Sequence, residues 1–297
     1  MLNTATISLC VGLLALAADR QASSPGVPRI DRDRAYAEPK NERQSLDVYA
    51  PAAGKGRPVV FWLHGGGWQK GDKSEVHSKA QAFVDRGFVF ASSNYRFIPN
   101  VTLQQMTGDV AKAIRWVYDH AAEYGGDPNS IFVMGWSAGA QLAALVCTDD
   151  RYLKAEGLSL SQIKGCVPVD ADTFYPALQI ETVEARPGAR RPSSYRTKFP
   201  EGHDKDLSSV LYVAKDKGIP PFLILHIDGR PESGTAIQAQ VLANALRVAN
   251  VPVQVVAGEG KTHNTLNEEL GRPGDTPTKA LFEFVDGVLT RAGQLRE

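Results

Sequence analysis

The 297-residue chain has little cysteine, methionine or tryptophan, 3, 3 and 4 residues respectively, and its 33 basic and 33 acidic side chains leave no net charge. Each shortage excludes something. Three cysteines cannot make a disulfide scaffold. A zero balance lacks the basic footprint of a nucleic-acid binder, so no nucleic-acid partner is expected. The 27 glycines and 18 prolines are far too few for a collagen-like or low-complexity chain, and 43% apolar residues are too many for a disordered one. What remains is a large foldable chain. At this length roughly 75% of the unfolded surface can be buried without bridges or metals.

The uncharged stretch from Ile7 to Ala18 is too short to span a ~30 Å hydrocarbon core as a helix, so no membrane span is expected. Its length suits the h-region of a secretory signal, and Ala15-Leu16-Ala17 offers small residues where a signal peptidase reads. Residues 1–18 are therefore expected to be a signal peptide, with an exported chain of residues 19–297. Cys10 would leave with the signal. Cys147 and Cys166 sit among apolar neighbours and read as buried thiols.

Residues 20–43 are polar and hold three prolines, which suggests an irregular arm. Beyond it, apolar strand-like runs recur at 44–49, 58–63, 87–95, 130–136, 166–170, 222–227 and 251–256. Between them, Met106, Val110, Ile114, Val117 and Ala121 form one helix face ending at Gly125-Gly126, and further helical patterns cover 138–147, 236–248 and 278–289. Apolar strands alternating with helices predict an α/β domain with a mostly parallel sheet covered on both faces. Residues 172–218 lack strong periodicity and are rich in Pro, Arg and Ser, which predicts a lid-like insertion.

Gly135-Trp136-Ser137-Ala138-Gly139 lies between a buried strand and a small-residue helix. A serine there must sit on a sharp turn flanked by small residues, with its oxygen projecting beyond the sheet and the Ala138 amide at a helix N-terminus. Ser137 is thus a candidate nucleophile. Upstream, His64-Gly65-Gly66-Gly67-Trp68 follows another buried strand. Its glycines let backbone N–H groups approach a substrate oxygen, and no Gly-Lys-Ser/Thr follows to make it a phosphate loop.

With Leu46-Asp-Val-Tyr-Ala-Pro51, Asn94-Tyr-Arg96, Asp109-Val-Ala-Lys-Ala-Ile-Arg-Trp116 and Tyr124-Gly-Gly-Asp-Pro128, these motifs make the chain from about Leu46 onward resemble an α/β-hydrolase. It is most similar to the hormone-sensitive-lipase-like carboxylesterases and to the bacterial feruloyl and acetyl esterases and kynurenine formamidase. The resemblance implies a cofactor-free hydrolase of small-molecule esters; an amidase or peptidase with the same triad and a non-catalytic binding protein on the same scaffold are the alternatives. Ser137 would be the nucleophile, the Gly66, Gly67 and Ala138 amides an oxyanion hole, and His263, after the last strand, the base. Ala140 stands where these esterases often have glycine, which touches only helix packing.

The acid is harder to assign. The family commonly places it after the strand equivalent to 222–227, often just before a proline, but Arg230 occupies that position here. Asp228 is nearest the strand end and is favoured; Glu232, past Pro231, is the alternative. Trp68 is expected to border the acyl pocket. Asp170 and Tyr175, after the strand that follows the serine, are expected in its substrate-binding wall, although Asp170 or Asp172 could equally cap the next turn. Arg186, Arg190, Arg191, Arg196 and Lys198 make the insertion basic, fitting either anionic substrates or a solvated loop. Asp149-Asp150 has no His or Glu at ligand spacing, so no metal is expected.

Overall fold

The computed structural model describes residues 28–228 and 234–294. The expected signal segment and Glu232 lie outside the described residues. Eight strands among those described form one sheet: β1 (Arg29–Ala35), β2 (Ser45–Ala50), β3 (Arg57–Leu63), β4 (Val89–Ser93), β5 (Gly126–Trp136), β6 (Ile163–Val169), β7 (Phe222–Ile227) and β8 (Val253–Gly258). Their order is β1-β2-β4-β3-β5-β6-β7-β8. The β1–β2 and β2–β4 pairs are antiparallel and the rest parallel.

The helices are α1 (Lys79–Asp85), α2 (Leu103–His120), α3 (Ala138–Thr148), α4 (Asp150–Ala155), α5 (Pro176–Glu184), α6 (Thr235–Val248), α7 (His263–Glu269) and α8 (Thr276–Gln294). Side chains alternate across the sheet, so β3 sends Val59, Phe61 and Leu63 into one core and Val60 and Trp62 into the other. The first core is closed by α2, α3 and α6. The second is closed by α1, α7 and α8, where Phe83 packs on Phe88, Phe90 and Phe282. Helix α3 is buried along its whole length, which explains its Ala-rich sequence without a polar face. No helix among the described residues is long and apolar enough to cross a membrane, and no cluster of three or more potential metal ligands occurs among them.

Two local expectations change. Strand β1 falls inside the stretch expected to be irregular. Its sequence, Arg-Ile-Asp-Arg-Asp-Arg-Ala, is mostly exposed and charged, because an edge strand needs pairing on one side only and charge blocks pairing on the other. The helix expected as far as Tyr124 ends earlier: α2 stops at His120, a single tight turn covers Ala121–Tyr124, and Gly125 takes a left-handed φ of 77° before β5 starts. Within residues 172–218 the chain forms α5 and buries Phe174, Phe199 and Leu207 in the core.

Candidate active site

The serine turn is built as its sequence requires. Ser137 has φ 55°, a conformation that costs a non-glycine residue about 1–3 kcal/mol, and so needs support. Support comes from its amide, which donates to the Val169 carbonyl at 2.9 Å and ties the end of β5 to the end of β6. The flanking glycines have no alternative. A Cβ on Gly135 would meet the Gly139 carbonyl oxygen at 2.3 Å, and one on Gly139 would meet the Leu63 and His64 oxygens at 2.4 Å. Ala138 opens α3, where the first amides have no partner inside the helix.

The glycine turn after β3 faces the same place. Gly66 and Gly67 adopt φ 113° and 61°, and a side chain on Gly66 would strike the Lys70 carbonyl at 2.0 Å. Gly67 lies open to the cavity beside Ser137. His64 does no proton work in this arrangement. It is buried, stacks on Tyr95 at 4.4 Å and pairs with the Gly65 carbonyl at 2.7 Å, and burial pushes it down to about 4. Tyr95, from the Asn94–Arg96 motif, braces this turn, and the neighbouring motifs are tied together around it. The Tyr95 hydroxyl donates to the His64 carbonyl at 2.7 Å, and Asn94 Oδ1 accepts from the Lys73 amide at 2.7 Å. Buried Asp47 takes the Lys73 ammonium at 2.7 Å, and Arg96 grips buried Asp109 on α2 through two 2.7 Å bonds.

His263 opens α7, and its Nε2 lies 3.0 Å from Ser137 Oγ. Its Nδ1 lies 2.6 Å from Asp170 Oδ2. The carboxylate beside the histidine is thus Asp170, the residue just after β6, and not Asp228. This corrects the sequence expectation, and the cause is positional. The Asp170 side chain is fully buried, its amide donates to the Leu225 carbonyl at 2.8 Å, and its Oδ1 accepts from the Ile227 amide at 2.9 Å, so its second oxygen is held toward His263. Asp228, one residue beyond β7, is exposed. Asp170 therefore lines the cavity, as expected, with one oxygen engaged by His263. Trp136 completes the support, with Nε1 donating to the His263 carbonyl at 3.1 Å and its ring 4.8 Å from the imidazole. The signal for Asp170 in the sequence was an aspartate ending the apolar strand directly after the serine turn, since ligands of parallel sheets sit at the carboxyl ends of strands.

These groups line a cavity of about 500 Å³. Trp68 borders it, as expected, with its Nε1 fixed by Gln141 on α3 at 3.2 Å. Tyr175 does not line it: it precedes α5 and spends its backbone amide on Gln238 at 2.7 Å. The tyrosine in the wall is Tyr195, whose hydroxyl donates to Asp172. Burial pushes the Asp172 carboxyl above its ordinary range, and the Tyr195 hydroxyl pulls the other way. Sequence reasoning named Lys198 only as part of a basic segment; here it stands in the cavity wall with Arg186.

Fold and site together define an α/β-hydrolase with a Ser–His–Asp hydrogen-bond relay. More particularly, the chain belongs to the BD-FAE family, whose model matches residues 46–246. Among curated relatives, the probable carboxylic ester hydrolase LipM of Mycobacterium tuberculosis (strain ATCC 25618 / H37Rv) is 31% identical over 228 residues, 71% of this chain and 49% of LipM. The probable isoprenylcysteine alpha-carbonyl methylesterase ICME of Oryza sativa subsp. japonica is 35% identical over 240 residues, 74% of this chain and 55% of the relative. The chain spans about half the length of the curated relatives it matches. Among solved structures, esterase B from Lactobacillus rhamnosis superposes with a TM-score of 0.73 at 20% identity, covering 92% of this chain and 90% of that one, a likeness of fold. The Est2 esterase of Thermogutta terrifontis gives 0.67 at 25% identity, covering 90% and 92%.

Proposed function

We propose that this chain is a serine carboxylesterase acting on short acyl esters or on acylated plant polysaccharide fragments such as acetyl and feruloyl esters. The observation that carries the reading is the unbroken line of hydrogen bonds from Ser137 Oγ through His263 to Asp170, ending in a cavity beside the Gly66–Gly67 turn. Ser137 Oγ attacks the ester carbonyl carbon while His263 Nε2 takes its proton. Asp170 keeps Nδ1 as the protonated nitrogen and stabilises the imidazolium. The negative charge on the former carbonyl oxygen is met by the Gly66, Gly67 and Ala138 amides, about 3–4 kcal/mol for a key donor. Collapse breaks the ester C–O bond, and His263 returns the proton to the leaving alcohol. Water then attacks the acyl-enzyme by the same route and frees Ser137 and the acid.

The modest cavity of about 500 Å³ supports small acyl groups, and the ester-hydrolase names of similar proteins support the bond type. The apolar stretch near the N-terminus supports export, which N-terminal sequencing of the mature protein tests: a start at Ala18 or Asp19 is expected, and a start at Met1 contradicts it. The activity is tested with p-nitrophenyl acetate. Turnover in the wild type and its loss in Ser137→Ala are expected, and equal rates in both would sink the reading.

A further inference from the structure

Of the two cations in the cavity wall, Arg186 and Lys198, neither takes part in the acyl transfer. Lys198 is half-buried, and it lines the cavity beside the glycine turn, close enough that a Cβ on Gly67 would lie 3.9 Å from its Nζ. Neighbouring Arg196 is satisfied by Glu184 at 2.9 Å. Lys198, in contrast, pairs with no carboxylate among the described residues. Its ammonium is placed by two aromatic faces instead, 5.3 Å from the Trp68 ring centre and 5.9 Å from that of Tyr195. Ring faces attract a cation but accept none of its N–H bonds in the way an oxygen does. The two carboxylates of the cavity are engaged elsewhere, Asp170 by His263 and Asp172 by Tyr195 and by Gln179 at 3.2 Å. The cavity therefore presents three ammonium donors, aimed by rigid rings and short of acceptors, next to the place where the ester carbonyl is held. Burial lowers the Lys198 pKa, an effect Asp172 opposes, and an anionic ligand would relieve that cost.

We propose that Lys198 recognises an anionic group carried by the substrate, so that the preferred ester bears a carboxylate within reach of the scissile carbonyl. This rests on the esterase reading and specifies its substrate class. The carboxylate has two possible sources, the acyl part or the alcohol part. A charge-assisted hydrogen bond in a half-dry site is expected to favour the anion about tenfold over a neutral isostere.

The test uses two matched pairs, each comparing carboxylate with carboxamide. In 4-acetoxybenzoate and 4-acetoxybenzamide the group is on the leaving alcohol; in monomethyl adipate and methyl adipamate it is on the acyl chain. The readout is the ratio of kcat/KM within each pair, in the wild type and in Lys198→Met and Lys198→Arg. A wild-type ratio of about ten in either pair, collapsing toward one in Lys198→Met and retained in Lys198→Arg, supports the proposal, and the pair that responds identifies the source. Ratios that Lys198→Met leaves unchanged in both pairs overturn it, including the case in which all esters slow in parallel because Lys198 acts on the oxyanion. Binding of the same four compounds to the Ser137→Ala protein, with and without Lys198→Met, gives a second measurement that needs no turnover. Anions that bind no tighter than amides overturn the proposal. Failure of the esterase reading shows separately, as absence of wild-type turnover of every neutral ester.

Discussion

Strands β6 and β7 lie side by side, run parallel, and are each followed at once by an aspartate, Asp170 and Asp228. Only one of the two reaches His263. Asp170 is buried and anchored through both its amide and Oδ1 to β7, whereas Asp228 is exposed. The difference teaches that a carboxylate acquires an orienting role from how its strand end is tied down, more than from its place in the chain order. Backbone strain follows the same division. Trp68, Ser137 and Asp170 all have positive φ, 64°, 55° and 53°, and all three line the one cavity. Such backbone persists only where the surroundings over-determine it.

The sharpest way to break this comparison is to neutralise each aspartate. Asp170→Asn is expected to lower kcat on p-nitrophenyl acetate by about 10⁴, because the wrong histidine tautomer is then favoured. Asp228→Asn is expected to stay within about twofold. Comparable losses in the two variants, or a larger one in Asp228→Asn, would reverse the assignment. A smaller effect is expected at Trp136, a positioning residue that holds the His263 carbonyl from the end of β5. Trp136→Phe loses one hydrogen bond of about 1 kcal/mol, so kcat should fall about five- to tenfold with KM little changed. An unchanged kcat would mean that α7 is fixed without it.

A further effect concerns stability and not rate. Helix α7 is held from below by Lys79, a fully buried residue whose Nζ donates to the Asn267 carbonyl and to Oδ1 at 2.7 and 2.9 Å over the Trp62 ring. Burial pushes its pKa down to about 7. The unfolded chain, with an ordinary lysine near 10.4, binds the proton over the window in between while the folded chain releases it. This contribution to stability is therefore lost as pH falls toward 7 and grows as pH rises toward 10, by at most about 1.4 kcal/mol per pH unit. Urea unfolding of Lys79→Met should accordingly show a flatter rise with pH between 7 and 9.5 than the wild type. Parallel curves would contradict the shift.

Much of the site could be read from the sequence, for reasons that are local. A serine between glycines, preceded by an apolar strand and followed by small helix residues, has few other conformations open to it. The Leu46–Pro51, Asn94–Arg96 and Asp109–Trp116 stretches were legible as motifs, and the structure gives them physical work: Tyr95 braces the turn that carries Gly66 and Gly67, Asp47 holds Lys73, and Asp109 holds Arg96. Asp170 was not legible as the partner of His263, because the order β5-β6-β7 and the hydrogen bonds that aim its carboxylate are tertiary facts. Strand β1 was hidden for the opposite reason: an exposed charged edge leaves no apolar alternation to read. Tyr195 stands in the wall where Tyr175 was expected, since a loop without periodicity does not disclose which of its aromatics turns inward.

The most direct test of the relay is the rate at which a fluorophosphonate probe modifies the protein, followed by intact mass and peptide mapping in the wild type, Asp170→Asn and Asp228→Asn. One adduct on Ser137 is expected, forming at the same rate in the wild type and Asp228→Asn and at least about a hundredfold more slowly in Asp170→Asn. Modification at another residue, or equal rates in all three proteins, would contradict a Ser137 made reactive by His263 and Asp170.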